Sequence, residues 1–175
     1  PKTLNIFNKV RTNIRKSLDI GHEDILIMQT GKISLDKRPD LTIQASTFNL
    51  QRKKGHIIFL GPHAKSEKKE LENLFFKIKK DNWELRFLDN VEFFKLRDYY
   101  LASDLLSYPG GASLSCIEGA ACGCKSVVSH TPEGASRVEL GISFMPNKNN
   151  DQSFKECLHK TIYSIESELK KQIKL

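Results

Sequence analysis

The chain has 175 residues, of which 39% are hydrophobic and 28% are charged, so its length and composition suit one globular domain with a sizeable core. No apolar run approaches the ~20 residues that a membrane-spanning helix requires. The net charge of +7 raises nucleic acid, membrane surfaces and phosphorylated ligands as partners. Because no nucleic-acid-binding motif accompanies the charge, we expect no nucleic-acid partner.

The ends and the cysteines bear on the cellular setting. The sequence begins with Pro1 rather than Met and shows no signal peptide, so we expect a fragment or a processed chain. The four cysteines have no framework spacing, which favours reduced thiols in a cytoplasmic protein. Their spacing relative to His130 matches no common zinc pattern, so we expect no metal. Basic helices such as Glu67–Lys80 leave open a peripheral contact with a membrane surface in the full-length protein.

Apolar runs indicate strands, as does the apolar–polar alternation at 83–88, and apolar residues at helical spacing indicate helices. In chain order, the pattern predicts a helix at 10–18, a strand at 24–29, a helix at 41–51 opened by Pro39, a strand at 56–60, a helix at 67–79, a strand at 83–88, a helix at 91–102, a strand at 104–107, a helix at 113–122, a strand at 126–129, a short strand at 142–145 and a helix at 154–169. Gly55 is expected to close the second helix, and residues 130–138 are expected to form a polar loop.

The alternation of strands and helices predicts an α/β fold, a Rossmann-like parallel sheet flanked by helices. Ligands of such sheets bind at the carboxyl ends of the strands. Four loops are therefore predicted to carry the site: 30–38, 61–66, 89–92 and 108–113.

Residues 108–128, YPGGASLSCIEGAACGCKSVV, are the most informative stretch. Gly110 and Gly111 allow the backbone to approach a ligand closely, and the start of the following helix has N–H groups that suit an anion. Glu118 lies one to two turns into that helix, among small residues. A phosphate at the helix start and a carboxylate near a sugar hydroxyl together indicate a nucleotide ligand.

The loop after the first strand contains Gly31, Lys32 and Lys37, and its two lysines could hold a diphosphate as point charges. Neither a Walker A pattern nor a G-x-G-x-x-G pattern follows that strand. The sequence therefore excludes a Walker ATPase and a standard dinucleotide-binding domain.

Taken together, the loops resemble the C-terminal, donor-binding domain of GT-B glycosyltransferases of the "glycosyl transferases group 1" type, the family 4 retaining enzymes. The resemblance covers about residues 23–141. The family carries G-R-x-x-x-x-K after its first strand, where this chain has GKISLDK, residues 31–37. This match implies that Lys32 and Lys37 bind the donor pyrophosphate. The family run E-A-M-A-C-G matches EGAACG, residues 118–123, which implies that Glu118 binds the ribose.

Further loops extend the resemblance. The family's F-x-G-x-V segment corresponds to FLDNV, residues 87–91, which implies that the loop with Asn90 and Val91 meets the nucleobase. The resemblance also implies that the amides of Ser113 and Leu114 meet the pyrophosphate. The family usually has a second Glu eight positions before Glu118, where this chain has Gly110 and so lacks that carboxylate beside the transferred sugar.

We therefore expect a lead-in segment at 1–20 and a nucleotide-sugar-binding domain at 21–175, with the N-terminal acceptor domain absent. The resemblance implies a hexosyltransferase of polysaccharide biosynthesis that transfers sugar from a nucleoside diphosphate sugar to a glycan or lipid-linked acceptor, without a cofactor. As an isolated fragment, the chain is expected to be inactive. A nucleotide-sugar epimerase of related fold and a degenerate, non-catalytic nucleotide-binding or interaction domain are the alternatives.

Overall fold

A computed structural model describes residues 2–50 and 53–173 and shows an α/β fold. In chain order its elements are α1 (Lys2–Ser17), β1 (Ile25–Thr30), α2 (Pro39–Ile43), β2 (Gly55–Leu60), α3 (Lys65–Ile78), β3 (Trp83–Leu88), α4 (Phe93–Ala102), β4 (Leu105–Tyr108), α5 (Ser115–Ala121), β5 (Lys125–Val128), α6 (Pro132–Glu139) and α7 (Asp151–Ile173). Two 3₁₀ turns, Leu35–Lys37 and Gln44–Thr47, precede and follow α2.

The five strands form one parallel sheet in the order β3-β2-β1-β4-β5. The predicted parallel α/β architecture is therefore confirmed. The chain adds β2 and β3 on one side of β1, then crosses back and adds β4 and β5 on the other side. The carboxyl ends of β1 and β4 consequently flank the switch point of the sheet, where ligands of such folds bind.

Hydrophobic cores lie on both faces of the sheet. Along β1, Ile25 and Ile27 belong to the core beneath α3 and α7, whereas Leu26 and Met28 belong to the core beneath α4 and α5. All four side chains are fully buried. A strand covered on both faces reads as a continuous apolar run, which is why the sequence predicts it to within a residue.

Gly55 does not close a helix, contrary to the prediction. It is the first residue of β2, and a Cβ atom at this position would lie 2.3 Å from the ring of Trp83 on β3. The preceding helix is also shorter than predicted, since α2 ends at Ile43 and a 3₁₀ turn continues to Thr47. The predicted helix end at residue 51 lies outside the described residues.

The prediction of a polar loop at 130–138 is wrong, because α6 occupies most of it. Pro132 opens this helix, and the Thr131 side chain caps it by accepting a hydrogen bond from the Gly134 N–H at 3.1 Å. The strand expected at 142–145 is reduced to a single bridge beside β5. There the Phe144 N–H donates to Ser126, and its carbonyl accepts from Val128.

Helix α1 is bound to the rest of the fold through Asp104, which lies just before β4. The Asp104 carboxylate accepts hydrogen bonds from Arg11, from Arg15 at 3.1 Å and from the Leu26 N–H at 2.7 Å. Both arginines also donate to backbone carbonyls at the end of α4. Within the described residues, no helix combines the length and the apolar character needed to cross a membrane.

Candidate functional site

The loops that follow β1 and β4 meet at the switch point and enclose a cleft of about 280 Å³, here called the lysine–glycine cleft. It is lined by Gln29, Thr30, Gly31, Lys32, Lys37, Tyr108, Gly110, Gly111, Ala112 and Ser113. The structure thus brings together the two loops that the sequence analysis emphasised, although they are about 75 residues apart in the chain.

Two lysines supply positive charge to this cleft. Lys32 and Lys37 are exposed, and no ion pair of either is found in the described part of the chain. Arg38 is adjacent but engaged elsewhere, because its guanidinium binds Asp40 and Asp151, with an Nη2–Oδ2 distance of 2.7 Å to the latter. Hydrogen bonds to these two carboxylates raise the pKa of Arg38. The lysines are therefore the cations that can meet an anion in the cleft.

A buried polar network beneath the cleft holds the Lys37 backbone in place. Gln29 lies at the end of β1, and its side-chain amide donates to the Lys37 carbonyl at 3.2 Å. The other end of that amide accepts from the Thr42 hydroxyl, which lies 2.8 Å from the Ser107 hydroxyl on β4. A buried amide with both ends paired has a defined orientation, so β1 and β4 together position the lysine loop.

The glycine loop packs directly against the lysine loop at Gly110. A Cβ atom at Gly110 would lie 2.5 Å from the Lys37 Cα and 2.8 Å from the Asp36 carbonyl oxygen, so this backbone has no space for a side chain there. Gly111 faces open space and has a φ of +133°, which favours glycine. In the described residues, the N–H groups of 110–114 form no hydrogen bonds, so they are available to an anion.

Helix α5, which follows the glycine loop, is shorter than predicted. It spans seven residues, Ser115–Ala121, rather than 113–122, so the two residues expected in its first turn precede it. Glu118 lies half-buried on this helix, and one of its carboxylate oxygens accepts a hydrogen bond from the Tyr100 hydroxyl at 3.1 Å. Tyr100 comes from α4, so the carboxylate is held from a neighbouring helix.

Glu118 does not line the lysine–glycine cleft but lines a second cleft of about 420 Å³, here called the aromatic cleft. It is lined by Phe7, Phe93, Phe94, Leu96, Arg97, Tyr100, Leu101, Glu118, Ala121 and Cys122. Phe93 and Phe94 are 71% and 84% exposed, and their rings meet edge to face. The two clefts adjoin at Tyr100, whose hydroxyl is 3.5 Å from the Thr30 hydroxyl of the lysine–glycine cleft.

Three predicted site residues line neither cleft. Asn90 and Val91 lie in the loop between β3 and α4, with Asn90 exposed and Val91 packed against the α4–α5 core. The Leu114 side chain is 70% exposed immediately before α5. In the part of the chain that the structure describes, no group of three His, Cys, Asp or Glu side chains is placed to hold a metal ion.

Four polar residues at this site were not among the predicted site residues. Gln29 and Thr30 end β1, Tyr108 ends β4, and Tyr100 lies on α4. The signal for the first three was a polar side chain closing an apolar strand immediately before a glycine or Pro-Gly turn. Tyr100 had no comparable signal, because its role depends on which helix packs beside Glu118.

The fold and the cleft define an α/β domain of Rossmann-like type with two lysines and a glycine loop at its switch point. The pattern of the family described as "Glycosyl transferases group 1" matches residues 10–172, nearly the whole chain. The chain therefore belongs to the glycosyl transferases group 1 family. No curated protein matches the sequence.

Solved glycosyltransferase structures share the fold at low sequence identity. WaaG, a glycosyltransferase involved in lipopolysaccharide biosynthesis, is similar with a TM-score of 0.75 and 16% identity over 91% of this chain and 44% of that chain. Anabaena Alr3699/HepE in complex with UDP and glucose is similar with a TM-score of 0.73 and 16% identity, over 92% of this chain and 45% of that chain.

The catalytic domain of starch synthase IV from Arabidopsis thaliana, bound to ADP and acarbose, is similar with a TM-score of 0.66 and 15% identity over 91% of this chain and 35% of that chain. This chain thus spans less than half the length of each of these three structures. At such identities the likeness establishes the fold.

Proposed function

We propose that this chain is the donor-binding, C-terminal half of a retaining family 4 glycosyltransferase of GT-B type, and that it binds a nucleoside diphosphate sugar. The observation that carries the proposal is the lysine–glycine cleft, with Glu118 beyond it. Among the residues that the structure describes, its two lysines form no ion pairs and face a loop of unbonded N–H groups. The neighbours bound to UDP and to ADP support a nucleoside diphosphate as the ligand.

The diphosphate would lie between the lysine loop and the glycine loop. Lys32 and Lys37 would stabilise the negative charge that builds on the departing diphosphate as the bond to the sugar breaks, and the N–H groups near Ser113 and Leu114 would add to this effect. Groups held in position before the reaction stabilise such charge without reorganising. Each lysine acts as a point charge, so this loop lacks the two-pronged contact that an arginine at position 32 would offer.

The nucleoside would extend from the diphosphate past Glu118. The carboxylate would accept hydrogen bonds from the ribose hydroxyls, and the base would be bounded by the aromatic cleft and by the loop with Asn90 and Val91. Apolar walls with a few convergent polar groups are typical of nucleotide-sized sites. This arrangement needs no cofactor beyond the substrate itself.

The remainder of the enzyme would supply the acceptor site. Because the chain spans less than half the length of the three neighbours, we propose that an N-terminal domain binds the acceptor, a glycan or a lipid-linked saccharide. We expect the isolated chain to bind nucleotide but to transfer little or no hexose. The full-length protein would be cytoplasmic, either free or peripheral to a membrane, with no nucleic-acid partner.

A degenerate nucleotide-binding domain is the second candidate function, and Gly110 is the observation that favours it. The carboxylate that the family places beside the transferred sugar is absent here, and the packing of Gly110 against Lys37 excludes any side chain. Sugar contact at position 110 is therefore restricted to the backbone. Transfer by the full-length protein would exclude this candidate.

A thermal-shift titration of the chain with UDP, GDP, ADP and CMP tests the proposal. A nucleotide at about 100 times its Kd stabilises the native state by roughly 2.7 kcal/mol, which raises Tm by about 5–10 °C for a chain of this size. We expect one diphosphate to give this shift and Glu118→Ala or Lys37→Ala to abolish most of it.

Matched controls are Glu70→Ala and Lys69→Ala, which remove the same charges from exposed positions on α3. These variants should keep the full shift. Two outcomes would contradict a donor site in this cleft. In one, the Tm of the native chain responds to none of the nucleotides; in the other, the Lys69 and Lys37 variants lose the shift equally.

A further inference from the structure

The Tyr100 hydroxyl lies where the two clefts meet. Its ring is buried in the α4–α5 core with only 2% of the residue exposed, while its hydroxyl reaches Glu118. Thr30, at the end of β1, lies 3.5 Å from this hydroxyl and 2.8 Å from the Tyr108 hydroxyl at the end of β4. One buried group of hydroxyls therefore connects the strand ends of the lysine–glycine cleft with the carboxylate on α5.

The chemistry of Glu118 sets the direction of these hydrogen bonds. An ionised carboxylate only accepts, so the single proton of Tyr100 is directed to Glu118. The Tyr100 oxygen is then left as an acceptor for the hydroxyls around it, those of Thr30 and Ser115. Ser115 and Thr30 also bond to Tyr108, so the hydroxyl that donates to the carboxylate belongs to a group of four.

The surroundings keep the tyrosine hydroxyls protonated. Burial raises the pKa of Tyr100 and raises that of Tyr108 well above its ordinary value. Both hydroxyls are therefore donors throughout the neutral pH range. Hydrogen bonds to a charged acceptor in a desolvated setting are among the stronger ones in proteins.

We propose that Tyr100 is a positioning residue for the nucleoside: its hydroxyl, supported by Thr30 and Tyr108, fixes the Glu118 carboxylate in the orientation that accepts the ribose hydroxyls. The proposal rests on the donor-binding function proposed above and identifies how that site is kept in place before ligand binds. One oxygen of Glu118 is held by Tyr100, which leaves the other oxygen for the ligand. Preorganisation of this kind reduces the entropy lost on binding.

The test is Tyr100→Phe, which removes the hydroxyl and keeps the buried ring. For the diphosphate among UDP, GDP and ADP that binds the native chain most tightly, calorimetry should show a Kd raised about tenfold, the usual effect of losing one hydrogen bond to a charged group. Inorganic pyrophosphate, which lacks ribose, should bind the variant and the native chain within about twofold of each other.

Two further variants separate positioning from a general structural role. Tyr99→Phe removes a hydroxyl from the preceding residue of α4, and among the described residues that hydroxyl does not bond to Glu118. It should bind nucleotide as the native chain does. In a Glu118→Ala background, Tyr100→Phe should change the nucleotide Kd by less than about twofold, because the two residues act as one unit. The proposal would be overturned if Tyr100→Phe weakened the binding of nucleotide and of pyrophosphate equally. It would also be overturned if the two substitutions had additive effects on nucleotide binding in the double variant.

The crystal structure of Tyr100→Phe without ligand distinguishes this inference from the donor-site proposal. We expect the Glu118 side chain to leave the position that it holds beside Tyr100. A carboxylate that keeps its place overturns the positioning role, whatever the chain binds. If the native chain binds none of the nucleotides, the donor-site proposal is overturned, and the position of the carboxylate alone decides whether Tyr100 fixes Glu118.

Discussion

Gly110 illustrates how a single residue determines the shape of the site. Its φ is not in the left-handed region, so the need for glycine arises from space and not from backbone conformation. The loops after β1 and β4 approach so closely that no space is left between them for a Cβ atom at Gly110. The sequence predicts that Gly110 allows close approach of a ligand, whereas in the structure Gly110 packs against Lys37.

We predict that Gly110→Ala separates the two loops. A Cβ atom 2.5 Å from a backbone carbon cannot be accommodated by a side-chain rotation, so the variant should lose about 1–3 kcal/mol of unfolding free energy. Because the lysines move with their loop, nucleotide should also bind at least about tenfold more weakly, a loss of ~1.4 kcal/mol. Urea unfolding and calorimetry measure the two effects.

Gly123→Ala is the control for that comparison. Gly123 has a φ of +80° with nothing within 4 Å of an added Cβ atom, and it follows α5 away from the lysine loop. This variant should destabilise the fold through backbone strain alone and leave nucleotide affinity unchanged. Equal binding losses in both variants would show that Gly110 acts through stability rather than through the cleft.

Among the elements, α1 depends on a buried charge cluster for its place. Its arginines reach from the helix to Asp104, and the side chains of Arg15 and Asp104 are only 4% and 8% exposed. Burial lowers the pKa of Arg15, while Asp104 opposes this effect, so the guanidinium relies on that carboxylate. Because the cluster joins α1 to β1 and to the end of α4, it binds the N-terminal helix to the sheet.

Removing the carboxylate at the centre of this cluster should therefore be costly. Asp104→Ala leaves Arg15 buried without its partner, so we expect the unfolding free energy to fall by about 3–5 kcal/mol. Asp98→Ala breaks the exposed pair with Arg97 and should cost less than about 1 kcal/mol. Urea unfolding compares the two variants. Equally small decreases in their unfolding free energy would show that the Asp104 cluster contributes little to stability.

Buried strands were the elements most readily predicted. β1 and β2 are largely apolar because they are buried along their whole length, whereas the partly exposed β3 alternates apolar and charged side chains. The predicted bounds of all three strands agree with the observed ones to within one residue. The predictions were wrong where one residue type suits two different local structures. Gly55 suits a helix end as well as it suits contact with Trp83, and only the pairing of β2 with β3 decides between them.

For the molecule as a whole, the buried His56 and the half-buried His159 couple stability to pH. Burial lowers the pKa of His56, even though Asp24 and Glu84 lie 3.2 Å and 3.5 Å from its ring nitrogens, and burial likewise lowers the pKa of His159. Below the ordinary value of 6.5, the unfolded chain therefore binds protons that the native chain does not. Stability contributed by the neutral histidines is present above that pH and is lost as the pH falls through it.

We predict that the unfolding free energy is steady between pH 7 and 8 and decreases below about pH 6.5, with each histidine contributing at most about 1.4 kcal/mol per pH unit. His56→Gln should reduce this slope, whereas His22→Gln, at an exposed position, should not. Urea unfolding between pH 5 and 8 measures this slope.

The pKa values of the Asp24 and Glu84 carboxylates are lowered, so these groups affect the pH dependence of stability only at more acidic pH. Stability that increased on acidification to pH 5.5 would show that ion pairs with His56 dominate instead.

The amino-acid sequence alone was sufficient for the α/β class, for the positions of the five strands and for placing the two lysines and the glycine loop at strand ends. Those features depend on local patterns: apolar runs, helical spacing and the short motifs that follow strands. The tertiary structure decided which loops meet, because the strand order places β1 beside β4 and thereby joins segments about 75 residues apart. It also decided that Gly110 contacts Lys37 and that Tyr100 holds Glu118, since both depend on side chains and backbones brought together only by packing.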